Sequence, residues 1–146
     1  MEVLYLNIWQ LVKATREDYK ISADEQYNRM FEYLIMNCNA DEIRELSNQW
    51  NKKASLLVRL KDYEKLHIQN GGFVDGGDDA FYQDFADWIV AQGEELYNEI
   101  LDRDCNVVKE YITKNDIGSN DYLYENIGYA FMNAEDYLSD RNSNDG

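Results

Sequence analysis

An all-α fold, a compact irregular bundle of five to seven helices with no sheet, is what three features of this sequence predict. Apolar residues recur at helical spacing along most of the chain. No stretch alternates apolar and polar residues as a half-buried strand does. Proline, which breaks helix interiors, is absent from all 146 residues.

Taken in order, residues 6–19 place Ile8, Leu11, Val12 and Tyr19 on one face, with Trp9 alongside. Ser22 followed by Glu25 is a capping-box pattern that opens a second helix, with Tyr27, Met30, Phe31, Leu34 and Ile35 as its apolar stripe. Asn39 and Glu42 cap a third, which carries Ile43, Leu46, Trp50, Leu57 and Leu60 and is expected to run to about Gln69. There Gly71 and Gly72 stop it. A loop through Gly77 leads to Asp78 and Asp79, acids placed to cap a fourth helix whose inward face is Phe81, Phe85, Trp88 and Ile89. Gly93 marks a break before a fifth, with Leu96, Tyr97, Ile100 and Leu101. A short turn over 107–112 and a loop through Gly118 and Ser119 follow. The last helix, 121–138, carries Tyr124, Ile127, Phe131 and Leu138, with Gly128 weakening its middle. Residues 1–140 thus read as one helical domain and 141–146 as a flexible tail.

The start of the chain has no basic region, and Asn7 and Gln10 interrupt its apolar run, so neither a secretory signal nor a membrane span is read there. Cys38 and Cys105 lie far apart without CxxC spacing and are expected to be reduced. The expected location is cytoplasmic.

Net charge is −15, and its distribution says more than its total. Residues 1–40 carry −2 and residues 41–70 carry +1. Residues 71–105 hold ten acids against Arg103 alone, and residues 106–146 carry −5. Nucleic acid and anionic membranes are poor ligands for such a surface, because both are held by clustered Lys and Arg. One reading is a solvated face that repels its like. A magnitude of about 2–8 already suffices for solubility in a small domain, however, and self-repulsion costs stability. A concentrated negative field attracts and orients a basic partner. Tyr82, Tyr97, Tyr122, Tyr124, Tyr129 and Tyr137 lie in the same half, and tyrosine offers large contact area at low entropy cost.

No motif points to a reaction. Asp75, Asp78 and Asp79 in a Gly-rich loop have oxygen ligands that suit Ca²⁺ or Mg²⁺, but their spacing is not that of an EF-hand, and helix capping explains them without a metal. His67, the only histidine, sits between Leu66 and Ile68 and reads as packing or surface. Neither Gly71-Gly72 nor Gly76-Gly77 matches a phosphate-cradling loop. Asp84 and Asp87 are paired carboxylates of the kind that do acid–base work, yet acids are so common here that one pair carries little information.

The block Gly71-Gly72, Asp78-Asp79-Ala80-Phe81, Phe85, Trp88-Ile89-Val90 and Gln92-Gly93 resembles a bacterial family, domain-of-unknown-function family 4240, and Ile8-Trp9-Gln10-Leu11 is similar to its opening. The resemblance spans about residues 5–112. It departs from the pattern in a longer link over 73–77 and in Ala80 where glycine is usual. It implies a helical fold and brings no catalytic residues.

The expected function is therefore that of a binding protein, not an enzyme, with no cofactor and no metal. It would neutralise a basic protein partner by occlusion, most concretely as an immunity protein or inhibitor of a toxin such as a nuclease. The residues expected to meet the partner are Asp75, Asp78, Asp79, Tyr82, Asp84, Asp87, Glu94, Glu95, Glu99 and Asp102. Two alternatives are a nucleic-acid mimic or regulatory accessory protein and, from another class, a carboxylate-metal hydrolase built on Asp75, Asp78 and Asp79.

Overall fold

A computed structural model describes residues 7–16, 21–77 and 79–144. Helix α1 (Ile8–Thr15) buries Ile8, Leu11, Val12 and Thr15, and the Asn7 side chain accepts from the Trp9 amide at its start. It ends four residues short of the expected boundary, and Tyr19, expected on its face, lies outside the described residues. Helix α2 (Ala23–Asn37) is capped by Ser22, which accepts from the Glu25 amide at 3.2 Å. Glu25 itself pairs with Arg29 at 3.1 Å. Helix α3 (Ala40–Arg59) carries a complete reciprocal box, Asn39 with Glu42, at 2.8 and 2.9 Å.

The expected run of α3 to Gln69 is corrected. The chain turns extended at Leu60 and proceeds through two 3₁₀ turns, Tyr63–Leu66 and Ile68–Asn70. Burial wins over helix propensity here. Leaving the helix brings Tyr63 fully inside, where its ring lies 4.8 Å from that of Phe81 and its hydroxyl donates to the Phe81 carbonyl at 2.7 Å.

That carbonyl belongs to a π-helical turn, Ala80–Phe85, which runs directly into α4 (Ala86–Gln92). Asp79 is already helical and makes no capping hydrogen bond, so its expected capping role does not hold; Asp78 lies outside the described residues. Residues 86–91 of α4 are all buried, which makes this helix the axis of the fold rather than a surface amphipath. Phe81, Phe85 and Trp88 stack along its inner side, with centroids 6.0 and 5.9 Å apart. Gln26 of α2, itself buried, donates to the Ala91 carbonyl near the end of α4 at 2.8 Å.

Gly93, at φ +120°, separates α4 from α5 (Glu94–Asp102). The segment 107–112, expected as a short turn, is instead part of a full helix, α6 (Asn106–Lys114), whose Val107, Val108 and Ile112 point inward. The last expected helix is broken. A single turn α7 (Ser119–Tyr122) and a 3₁₀ turn Ile127–Tyr129 precede α8 (Ala130–Asn144), which packs along α2 and α3. Backbone of residues 141–144 continues α8, so the tail expected from 141 onward is helical that far. Seven longer helices and one isolated bridge, His67 with Val74, account for the architecture, with no sheet among the described residues.

Asp121 ties distant parts together. One of its carboxylate oxygens accepts from the Trp88 indole at 2.8 Å and the other from the Ala23 amide, an orphan donor at the start of α2, at 3.0 Å. Asp121→Ala leaves both donors short of a partner and is expected to cost about 1–3 kcal/mol. Urea denaturation followed by tryptophan fluorescence measures it, and an unchanged midpoint contradicts the assignment.

Candidate functional site

Gln83 and Asp87 stand one helical turn apart where the π turn meets α4, and the Gln83 side-chain amide donates to both Asp87 carboxylate oxygens at 3.1–3.2 Å. The Trp50 indole of α3 donates to Oδ1 at 2.9 Å. From the third side comes Gly128 in the 3₁₀ turn before α8. A Cβ placed on it would lie 2.5 Å from Asp87 Oδ2, so only glycine lets this backbone lie so close to the carboxylate. Asp87 is only 5% exposed, and no Lys, Arg or His among the described residues lines the hollow above it. Burial pushes its carboxyl up to about 6, against the pull of its Gln83 and Trp50 donors.

Asp87 forms the floor of a depression of about 380 Å³ whose walls are Asn51 and Ser55 of α3, Gln83 and Asp84 of the π turn, and Glu125, Gly128 and Tyr129. A second depression of about 230 Å³ adjoins it and shares Asp84 and Glu125, adding Asp75, Gly76 and Tyr122. Four carboxylates, Asp75, Asp84, Asp87 and Glu125, therefore line one stretch of surface, and no Lys, Arg or His among the described residues lines either hollow. Asp84 records this in its own proton affinity. Partial burial, then Asp87, then Glu125 push its carboxyl up to about 6.

The residues expected to meet a partner divide into separate groups. Asp75, Asp84 and Asp87 come together at these hollows, and Tyr82, at the edge of exposure, stands on the π turn beside them in sequence. Asp79 is exposed one turn earlier, and Asp78 lies outside the described residues. Asp87 is corrected from a surface contact to a buried one. Glu94, Glu95 and Glu99 of α5 instead line a larger groove, about 1150 Å³, which α1, α5 and α6 share with Lys13, Arg16, Arg103 and Lys114. Asp102 is exposed and lines neither. The expectation of one acidic exterior patch is thus corrected: among the described residues one zone has no base in its lining, and the other has charges of both signs.

Glu125, Gln83, Trp50 and Gly128 were not among the expected residues. The Gln83–Asp87 spacing is visible in the sequence; the approach of Gly128 and Glu125 is a long-range contact with no local signature. Of the tyrosines, Tyr97 is core and donates to the Lys53 carbonyl, whereas Tyr129 and Tyr137 are about half exposed. His67 is buried with its ring 4.6 Å from Phe81, and both cysteines are free and buried, their thiols pushed up by burial first. No group of three or more His, Cys, Asp or Glu side chains among the described residues is arranged to hold a metal ion. No described helix is long and apolar enough to cross a membrane.

The hollows lie against the helical block that carries the family pattern, Phe81, Phe85, Trp88 and Gly93 among it. The family model described as protein of unknown function (DUF4240) matches residues 7–137. The chain belongs to this family. The match runs well beyond residue 112, where the resemblance in sequence was expected to end, and takes in Glu125 and Gly128. No curated protein and no solved structure matches the chain. DUF4240 membership therefore spans the whole bundle, including the turn that closes over Asp87.

Proposed function

We propose that this DUF4240 protein binds a basic protein partner and seats a cationic side chain of it in the paired hollows formed by Asp75, Asp84, Asp87 and Glu125. The observation that carries this reading is that, among the described residues, no Lys, Arg or His lines either hollow. Burial holds the Asp84 and Asp87 carboxyls at raised proton affinity, and at Asp84 the charges of Asp87 and Glu125 add to it. A guanidinium or ammonium entering between them relieves that repulsion and meets acceptors already in position. Asp75 and Glu125 are exposed and Asp84 is half-buried, so an incoming side chain meets them before it reaches the floor. Tyr129 lines the first hollow and offers aromatic surface suited to a protein contact. In this reading the protein acts by occlusion, and the immunity protein against a basic nuclease toxin is its most concrete form.

A second reading, acid–base catalysis by Asp84 and Asp87, draws on the same raised proton affinities. It is the weaker, because Asp87 is committed to Trp50 and Gln83 and lies beneath Gly128.

The test is affinity capture from the producing organism at low salt, with elution by salt steps. Asp75→Lys, Asp84→Lys and Glu125→Lys together are expected to abolish recovery of a basic protein. Glu94→Lys, Glu95→Lys and Glu99→Lys together are expected to leave it largely intact. The reverse pattern would move the contact to the α5 groove.

A further inference from the structure

Three carboxylates face one small hollow, one of them at its buried floor, so full ionisation of the empty hollow sets like charges against one another. Asp84 comes from the π turn, Asp87 from the start of α4, and Glu125 from the irregular segment 123–129. Among the described residues, the other groups that line the hollow are neutral. From α3 come the Trp50 indole N–H, Asn51 and Ser55; from the π turn, the Gln83 amide; from the segment before α8, Tyr129. Behind Asp87 stands the buried Tyr63 phenol, whose own ionisation Asp87 and Asp84 oppose, after burial. Asp75 adds a fourth negative group across the adjoining hollow.

The segment 123–129 is held differently from the helices around it. It carries Glu125, whose charge repels Asp84, and it also carries Gly128, whose backbone lies on Asp87 Oδ2. One end is thus pushed outward by charge while the other depends on close contact with the same cluster. We propose that this segment is a pH-operated clasp: protonation of Asp84 and Asp87 lets residues 123–129 close over the hollow, and loss of those protons drives Glu125 and its segment outward. The proposal needs no partner and goes beyond the binding reading.

The sign follows from the upward shifts. Both carboxyls hold their protons more tightly in the folded chain, at about 6, than at the ordinary value of 3.8. The stabilisation they confer is complete below about pH 3.8 and is lost as the pH rises through about 6.

Amide hydrogen exchange, corrected for the intrinsic effect of pH, tests the clasp on the intact chain. Protection at residues 123–129 is expected to fall roughly tenfold between pH 5 and pH 8, while α3 and α5 keep theirs. Asp84→Asn, neutral and of the same shape, should hold the segment closed at both pH values, and Glu125→Gln should shrink the change. Carboxyl ¹³C shifts of the unaltered protein give a second readout, with Asp84 and Asp87 titrating near 6 rather than near 4. Protection that stays flat with pH overturns the proposal, as does a fall that Asp84→Asn leaves unchanged.

Discussion

Trp50→Ala is expected to remove about 3–5 kcal/mol of stability, a large share of the roughly 5–15 kcal/mol that a domain of this size holds. Trp50 is fully buried between α3 and the rest of the core, with its ring edge-on to Phe131 at a centroid distance of 5.4 Å. Alanine empties that volume, and it also takes away the indole N–H that Asp87 accepts at 2.9 Å. Two losses of different kind are therefore combined, and Trp50→Phe separates them. Phenylalanine keeps most of the packing and deletes the donor, for an expected cost of about 1–3 kcal/mol at pH 8. A carboxyl without that donor holds its proton still more firmly, since the bond favours the charged form. The Trp50→Phe deficit should accordingly shrink as the pH falls below about 6, where Asp87 becomes protonated and has less charge to satisfy. Guanidinium denaturation at pH 5 and pH 8 measures both. A deficit identical at the two pH values would mean that the indole matters only as a hydrocarbon.

Much of the fold was legible because helix starts and apolar stripes are local. Asn39 with Glu42, the Met30–Leu34 face of α2 and the Phe81–Phe85–Trp88 spacing depend on residues three or four positions apart, and each is found as read. The failures share a different cause. Helix α3 stops at Arg59 because Tyr63 gains a buried place against Phe81, eighteen residues on, and nothing near Leu60 announces it. The stretch 107–112 was too short to declare its period, yet Val107, Val108, Tyr111 and Ile112 do lie on one helical face. Gly128 looked like a weak spot in a long helix; the break there lays backbone on Asp87.

The acidic site was half legible for the same reason. Asp84 and Asp87 stand three apart on one helical face, so their convergence could be read as a pair. Glu125 lies thirty-eight positions from Asp87 and Trp50 thirty-seven, and only tertiary packing delivers them. Charge counts summed along the chain also misled in part. Of the acids of residues 71–105, Asp75, Asp84 and Asp87 line hollows with no Lys, Arg or His among the described residues, whereas Glu94, Glu95 and Glu99 share a groove with Lys13 of α1 and with Arg16 just beyond it.

The two glycines that open the family pattern fail differently when substituted, and the difference is the second large effect to expect. Gly71 sits at φ +91° with open space where a side chain would go. Alanine there meets nothing and pays only for a left-handed backbone, about 1–2 kcal/mol. Gly72 has no such backbone demand; its constraint is space. A Cβ on Gly72 would lie 2.1 Å from the Leu66 carbonyl oxygen and 2.4 Å from that of Lys65, both main-chain atoms that no rotamer change can move aside. The same crossing is held by four hydrogen bonds: Gly72 to the His67 carbonyl, Phe73 and Val74 to that of Leu66, and Ile68 to that of Val74, at 2.9–3.0 Å. Room for one methyl therefore requires the strands of this crossing to part, and with them go the buried Val74 and the edge contacts of Phe73 with Phe85 and Tyr122. Gly72→Ala is expected to cost about 3 kcal/mol or more, against the smaller loss for Gly71→Ala, and to lower the thermal midpoint by clearly the larger amount. Circular dichroism melts of the two variants side by side decide it. Equal losses would mean that the crossing yields easily and that backbone conformation, rather than close approach, is what both positions require.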